Sequence, residues 1–96
     1  MDTPEITQHP AGSGGNFTIE RDGKPLATLN YSQVGKMVII NHTEVDPALR
    51  GTGAGGRLVE AVVNWARADH LRIAPLCPYA KSVFDKKPEY HDVLMR

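Results

Sequence analysis

The sequence has little of what several common classes of protein need. Its 96 residues include one cysteine, which excludes an internal disulfide, and with four scattered histidines we expect no metal site. Eleven positive charges balance eleven negative ones, which argues against a general binder of nucleic acid or anionic membranes. The longest aliphatic run, Met37–Ile40, is too short to cross a bilayer, and the N-terminus lacks a signal pattern. We therefore expect one cytoplasmic domain.

The first residues are poor in large apolar side chains. Residues 1–15 hold two prolines and three glycines, with Ile6 as the only large aliphatic residue after the initiator. We therefore predict a flexible N-terminal arm over residues 1–15 and one domain over residues 16–96. Residues 16–21 and 26–31, on either side of an Asp22-Gly23 turn, predict a β-hairpin. Residues 37–45 start apolar on both faces, as a covered central strand does, and complete a predicted three-strand antiparallel meander.

After the third predicted strand, the apolar pattern changes to the period of an α-helix. Apolar residues occupy one side of residues 56–68, which predicts an amphipathic helix. Residues 71–75 are short and apolar enough for a strand, and after a helical crossover this strand should run parallel to the one ending at Val45. Pro78 suits the first turn of a second helix over residues 78–86. The predicted fold class is α/β: the meander, a helix, a parallel strand and a second helix.

A glycine-rich turn joins the third strand to the first helix. Glycines this dense at a helix start let backbone N–H groups approach a ligand, and the helix dipole adds positive potential. Arg50, at the mouth of the turn, can add a charge-assisted hydrogen bond. The cluster favours a phosphate or pyrophosphate site over a turn whose glycines serve only the bend. Its four glycines are Gly51, Gly53, Gly55 and Gly56.

Three phosphate-binding patterns compete for this turn. A Walker loop is excluded because Arg57 and Leu58 stand where a Lys and a Ser or Thr are required. The glycines also satisfy G-x-G-x-x-G, but a dinucleotide fold needs an acidic residue at the end of the next strand, where residues 75–77 have none, and a longer chain. The third pattern, V-x-P-x-x-R-x-x-G-x-G, is filled by Val45, Pro47, Arg50, Gly53 and Gly55.

This third pattern closely resembles the coenzyme A pyrophosphate signature of the GNAT acetyltransferase superfamily. The chain also resembles a very small single-domain group within it, in which the central strand reads H-T-E-V and a later loop reads L-C-P-Y-A, as residues 42–45 and 76–80 do here. The resemblance implies a minimal GNAT-like fold with acetyl-coenzyme A in the cleft between the third strand and the parallel strand. The coenzyme-binding residues it implies are Val45, Arg50, Gly51, Thr52, Gly53, Ala54, Gly55, Gly56 and Phe84.

The implied activity is acetyl transfer from acetyl-coenzyme A to an amine. The acceptor is not specified by the sequence, and a peptide or protein amine is one candidate. Two other functions compete: a coenzyme A-binding or acyl-sensing module without acceptor chemistry, and an interaction domain whose glycine turn binds nothing. The module is credible because longer family members carry acceptor-side elements that this chain lacks.

The last helix departs from the family pattern N-x-x-A-x-x-x-Y. Cys77 stands at the Asn position, and Phe84 replaces the Tyr that in many relatives is placed to protonate the departing thiolate. Cys77 precedes Pro78 at the predicted helix start, where the dipole lowers a thiol pKa. We therefore interpret Cys77 as an acetyl relay or proton donor, with a buried structural cysteine as the alternative. Weaker candidates for the acid are Tyr79, Tyr90 and His91.

Acetyl transfer also needs a base, because a lysine-like amine is almost entirely protonated at neutral pH. His42 and Glu44 stand two residues apart on the strand expected to flank the thioester, and therefore on one face of it. We take both as candidate catalytic residues. The alternative is that the two side chains only satisfy each other.

Overall fold

The computed structural model describes residues 6–95, which form a five-stranded mixed sheet in the order β1-β2-β3-β4-β5. The first four strands pair antiparallel, and β5 pairs parallel with β4. The strands are β1 Ile6–Ala11, β2 Gly14–Arg21, β3 Lys24–Val34, β4 Met37–Val45 and β5 Arg72–Pro75. The helices are α1 Ala54–Asp69 and α2 Pro78–Lys86, with 3-10 turns at Pro47–Leu49 and Pro88–Val93. The predicted α/β class and the parallel strand are confirmed.

The antiparallel part of the sheet has four strands, one more than the predicted three-strand meander. From Ile6 onward, the segment in which we expected a loose arm pairs with β2, while residues 1–5 of that arm lie outside the described residues. The composition did not indicate β1 because this strand is held by backbone hydrogen bonds to β2 and by polar side-chain contacts, rather than by burial of apolar side chains. Gln8 Nε2 donates to the Tyr31 hydroxyl at 3.0 Å, and His9 Nε2 lies 2.9 Å from Glu20 Oε2.

The hydrophobic core lies between one face of the sheet and the two helices. Trp65 of α1 meets the rings of Phe17 and Tyr31, with centroid distances of 5.8 and 5.2 Å. Trp65 itself is partly buried, and α2 adds Ala80 and Phe84 to the same core. The fully buried apolar residues of α1 are Leu58, Val59, Val62, Val63 and Ala66. This packing fixes the starts of both helices beside β4.

A bulge interrupts the pairing of β3 with β4. Tyr31 is opposite Ile40, but the next pair is Asn30 with His42, so Asn41 is an extra residue in β4. The Asn41 amide donates to Asn30 Oδ1 at 3.0 Å. An extra residue shifts the alternation of side chains between the two faces of a strand.

The bulge decides which residues of β4 face the helices. Cross-strand partners project from the same face of a sheet. Thr43 is paired with the buried Leu29 and therefore faces α1. Val45 follows Thr43 on that face, whereas His42 and Glu44 project from the opposite face. Without the bulge, His42 and Glu44 would follow Ile40 toward the core.

Gly15 allows β1 to lie against the sheet, and its replacement tests that strand. A Cβ at Gly15 would lie 2.5 Å from the His9 carbonyl oxygen and 2.8 Å from the Tyr31 hydroxyl. We predict that Gly15→Ala lowers the free energy of unfolding by about 1–3 kcal/mol, with faster hydrogen exchange along β1. Gly12→Asn is the control, because Gly12 has open space around it and Asn tolerates its φ of 57°. Unchanged exchange in β1 would contradict the predicted contact.

Candidate functional site

The strands β4 and β5 pair over only four residue positions and separate at Ile40. The N–H groups of Leu76 and Cys77 both donate to the Ile40 carbonyl, at 3.1 Å each, and the chain then turns into α2. Beyond this point β4 continues to Val45 with no described strand alongside it on that edge. An unpaired strand edge offers backbone hydrogen bonds to an extended ligand.

The predicted glycine turn lies between the end of β4 and the start of α1. Gly51 and Gly53 have φ values of 82° and 81°, a left-handed conformation that glycine adopts at little cost, and Gly53 is the residue before the helix. The N–H groups of Ala54, Gly55 and Gly56 belong to the first turn of α1, where no helical carbonyl can accept them. The turn therefore presents backbone donors at the positive end of the helix dipole.

A groove with a volume of about 270 Å³ lies beside this turn. Arg50 is exposed, and its guanidinium makes no hydrogen bond or ion pair with the residues that the structure describes, so its charge is available to an anion. Thr52 is not among the residues that line the groove. Its hydroxyl donates to the Leu49 carbonyl and stabilises the turn. The groove is lined by Val45, Leu49, Arg50, Gly51, Gly53, Ala54, Gly55 and Tyr79.

Sequence reasoning gave too little weight to Tyr79, which forms part of this groove. Its ring covers Gly55: a Cβ there would lie 2.7 Å from Tyr79 Cε2 and 2.8 Å from its Cζ and hydroxyl oxygen. The sequence did not single out this contact, because the predicted helix began at residue 56; the structure shows that Gly55 lies inside α1 without a left-handed φ, where a glycine indicates a close neighbour. Which neighbour fills that space could be found only from the fold.

Beyond Ile40, β4 and the chain that follows β5 enclose a gap, with the glycine turn at one end. Cys77 lies at the other end of this gap, directly before α2 as predicted. Its side chain is 6% exposed, and the thiol donates to Thr43 Oγ1 at 3.7 Å. Burial raises the pKa of the Cys77 thiol, but hydrogen bonds from the Ala80 N–H, the Thr43 hydroxyl and the backbone of Tyr79 and Thr43 together outweigh burial and hold that pKa below its usual value. The side chain makes no capping hydrogen bond of ordinary geometry, so the helix N–H groups act on the sulfur mainly as oriented dipoles.

The remaining predicted site residues lie outside the lining of the groove. His42 Nε2 is 2.9 Å from Glu44 Oε1, and both side chains are largely exposed, at 63% and 75%. They share one face as expected, but the bulge makes it the face opposite to Thr43 and Cys77. Phe84 is 1% exposed and packs against Tyr90, with ring centroids 6.0 Å apart. The structure thus brings the turn, Arg50 and Val45 together, with Cys77 farther along the gap.

Two broader observations bear on the kind of site. Within residues 6–95, no three His, Cys, Asp or Glu side chains lie close enough together to hold a metal ion. None of the described helices combines the length and apolar character needed to cross a membrane.

The sheet is mixed, its strands β4 and β5 separate, and a glycine-rich turn leads from β4 into α1. This is the architecture of the GCN5-related acetyltransferase fold, and the comparisons agree with it. The family model for GCN5-related N-acetyl-transferases matches residues 16–93, and the chain belongs to this family. The finer assignment to the very small group with H-T-E-V and L-C-P-Y-A motifs stays a prediction.

Known proteins resemble the chain over different extents. Protein NATD1 of Bos taurus is 32% identical over 74 residues, which cover 75% of this chain and 66%, just under two thirds, of that protein. A GCN5-like protein of Staphylococcus aureus, solved by NMR, is 33% identical with a TM-score of 0.75, covering 99% of this chain and 91% of that one. The aminoglycoside N-acetyltransferase AAC(6')-Iy, solved in complex with CoA, shares the fold alone, at 18% identity and a TM-score of 0.58 over 79% and 67% of the two chains.

The surroundings of Cys77 predict an acidic thiol whose pKa depends on Thr43. A titration that follows thiolate ultraviolet absorbance should give a midpoint below that of an ordinary cysteine, because backbone dipoles and the Thr43 hydroxyl stabilise the thiolate. Thr43→Val should raise this midpoint, since it removes one of these donors. Thr28→Val is the control, because Thr28 is paired with Glu44 on the opposite face. A wild-type midpoint at or above the ordinary value would be incompatible with this description of the site.

Proposed function

We propose that this protein transfers the acetyl group of acetyl-coenzyme A to an amine. Membership of the family supports acetyl transfer in general, and one observation carries the finer proposal. The groove beside the glycine turn combines Arg50, whose guanidinium has no partner among residues 6–95, with the N–H groups of a helix start, directly beyond the open edge of β4. This arrangement suits a diphosphate followed by an extended chain, which is the shape of coenzyme A.

The proposed coenzyme position follows from the groove at the glycine turn and from the open edge of β4. The diphosphate binds the N–H groups of the turn and Arg50, at one end of the gap. The pantetheine arm then follows β4 back toward Ile40, where the strands part, and brings the thioester to Thr43 and Cys77. In this position, N–H groups on the open edge of β4 polarise the thioester carbonyl.

In the reaction, the amine nitrogen attacks the thioester carbonyl, a C–N bond forms and the C–S bond breaks. Cys77 donates its thiol proton to the departing coenzyme thiolate. This transfer is favourable because a Cys77 pKa below the usual value makes its thiol a stronger acid than an ordinary alkyl thiol. The proton that the attacking amine loses goes to the base described below, and after the reaction solvent takes one proton from that base and returns one to Cys77. Temporary acetylation of Cys77 is the alternative route.

The His42–Glu44 pair is the proposed base, and its position gives the direction from which the amine approaches. In this proposal, the amine enters the gap between β4 and β5 from the polar face, while coenzyme A occupies the helix side. His42 accepts the proton, and Glu44, 2.9 Å away, stabilises the imidazolium that forms. An exposed base suits an acceptor amine on a peptide or protein.

A second candidate function is a coenzyme A-binding or acyl-sensing module without acceptor chemistry. The observation that favours it is the separation of the two candidate groups: His42 and Glu44 project from one face, and Cys77 lies on the other. Both candidates share the coenzyme site and differ in whether an amine is consumed.

Coenzyme binding is tested by calorimetric titration of the wild type and of Arg50→Ala. Loss of a charge-assisted hydrogen bond should weaken the affinity for coenzyme A by about 10- to 100-fold. Gly53→Val should bind still more weakly, because valine cannot readily adopt the φ of 81° that shapes the turn. Arg21→Ala, at the β2–β3 hairpin, is the matched control and should bind as the wild type does. A wild type that gives no binding heat would rule out both coenzyme functions.

Acetyl transfer is tested by release of free coenzyme thiol in the presence of amines and basic peptides. Cys77→Ala should lower kcat by about a hundredfold or more, because it removes the proton donor. Mass spectrometry of the wild type after acetyl-coenzyme A treatment should find no acetyl adduct on Cys77, whereas an adduct would establish the relay route. Full activity in Cys77→Ala would remove Cys77 from the mechanism. A wild type that binds coenzyme A but is silent with every amine would favour the sensing module.

A further inference from the structure

The three tyrosines differ in what their hydroxyl groups contact. The Tyr31 hydroxyl accepts from Gln8 Nε2 at 3.0 Å, and the Tyr90 hydroxyl donates to Glu60 Oε2 at 3.4 Å. The Tyr79 hydroxyl has no hydrogen-bond partner anywhere in residues 6–95, and the residue is 42% exposed. A tyrosine without a partner, standing in a groove, is free to bind a ligand.

The position of this free hydroxyl is the start of α1. Tyr79 is the second residue of α2, yet its ring reaches across to the first turn of the other helix. Its hydroxyl oxygen lies 2.8 Å from where a Cβ of Gly55 would stand and 3.8 Å from the corresponding position at Gly56. The phenol therefore lies beside the same N–H groups that the proposed diphosphate would contact.

This contact gives Gly55 a specific role. Its φ is not left-handed, unlike those of Gly51 and Gly53, so its backbone does not require glycine. The place of the Tyr79 ring does require it, because a Cβ would lie 2.7 Å from Tyr79 Cε2 and would displace the ring. The last glycine of the V-x-P-x-x-R-x-x-G-x-G pattern thus makes room for a side chain of the protein itself. That side chain is held within reach of the anion site.

We propose that Tyr79 is a binding residue for the coenzyme diphosphate: its hydroxyl donates a hydrogen bond to a phosphate oxygen, and its ring shields that contact from water. The inference rests on the proposed coenzyme site. A hydroxyl bonded to a charged phosphate makes a charge-assisted bond, which is stronger than a neutral one. Because Cys77 and Tyr79 are two residues apart, the first turn of α2 contacts both the thioester end and the diphosphate end of the coenzyme.

The test compares the affinity of Tyr79→Phe and of the wild type for coenzyme A by calorimetry. Tyr79→Phe keeps the ring and loses only the hydroxyl, so the affinity should fall by about tenfold. Tyr79→Leu should bind more weakly still, because it also removes the ring. Tyr90→Phe, the same chemical change away from the turn, is the matched control and should bind as the wild type does.

Gly55→Ala supplies an independent variant. Its added methyl group should displace the Tyr79 ring from the turn, so its affinity should resemble that of Tyr79→Leu. Combining Gly55→Ala with Tyr79→Leu should then add little further loss, because the first change has already removed the ring. If the losses of affinity in the two single variants add up in the double variant, the displaced Tyr79 ring is not the reason that Gly55→Ala binds weakly.

Thermal unfolding separates ligand binding from a structural role of the hydroxyl. Without ligand, Tyr79→Phe should unfold at the wild-type temperature, because the hydroxyl contacts no hydrogen-bonding group in the described part of the chain. With coenzyme A present, its midpoint should rise less than that of the wild type. Wild-type affinity in Tyr79→Phe overturns this inference and leaves the proposed function standing. Absence of binding in the wild type overturns both.

Discussion

The carbonyl oxygen of Ile40 accepts hydrogen bonds from two successive residues, Leu76 and Cys77, and the rest of the site depends on this contact. It ends the parallel pairing of β4 with β5 and turns the chain into α2. The start of α2 then stands beside β4, where Cys77 reaches Thr43, and beside α1, where the Tyr79 ring covers Gly55. A β5 that stayed paired along β4 would close the strand edge that the proposed coenzyme uses. The glycine turn alone would then be an anion site without room for an extended arm.

The bulge at Asn41 divides the candidate chemistry between the two faces of the sheet. One extra residue sends Thr43 toward the helices and leaves the His42–Glu44 pair on the polar face. In a two-substrate reaction this division separates the donor from the acceptor, and the two meet only in the gap between β4 and β5. The same division would also suit a module that binds coenzyme A and transfers nothing, which is why turnover, rather than binding, distinguishes the two functions.

Local patterns predicted most of the fold and the position of the glycine turn at the start of α1. The glycine turn, the helix after it, the parallel strand and Cys77 before α2 are all set by neighbours in sequence, through backbone conformation and apolar period. Features that depend on distant partners were missed. The strand β1 is polar and is held by its pairing with β2, and the bulge follows from the register between strands.

Tyr79 was undervalued for the same reason. A tyrosine at a helix start has no distinguishing pattern of its own, and the two residues that give it a role, Gly55 and Gly56, are more than twenty positions earlier in the chain. The family resemblance gave the superfamily and the general activity, and the fold and the family model confirm the superfamily. The face on which each candidate group lies had to come from the structure.

The proposed coenzyme site is tested most directly by a titration of the isotope-labelled protein with coenzyme A, followed by backbone amide NMR shifts. We expect the largest changes at residues 50–56 and 77–79, with smaller changes along β4 at residues 41–45. Little change is expected at residues 66–72, at the other end of α1. An absence of shifts at saturating coenzyme, or shifts centred away from the glycine turn, would contradict a coenzyme site at this turn.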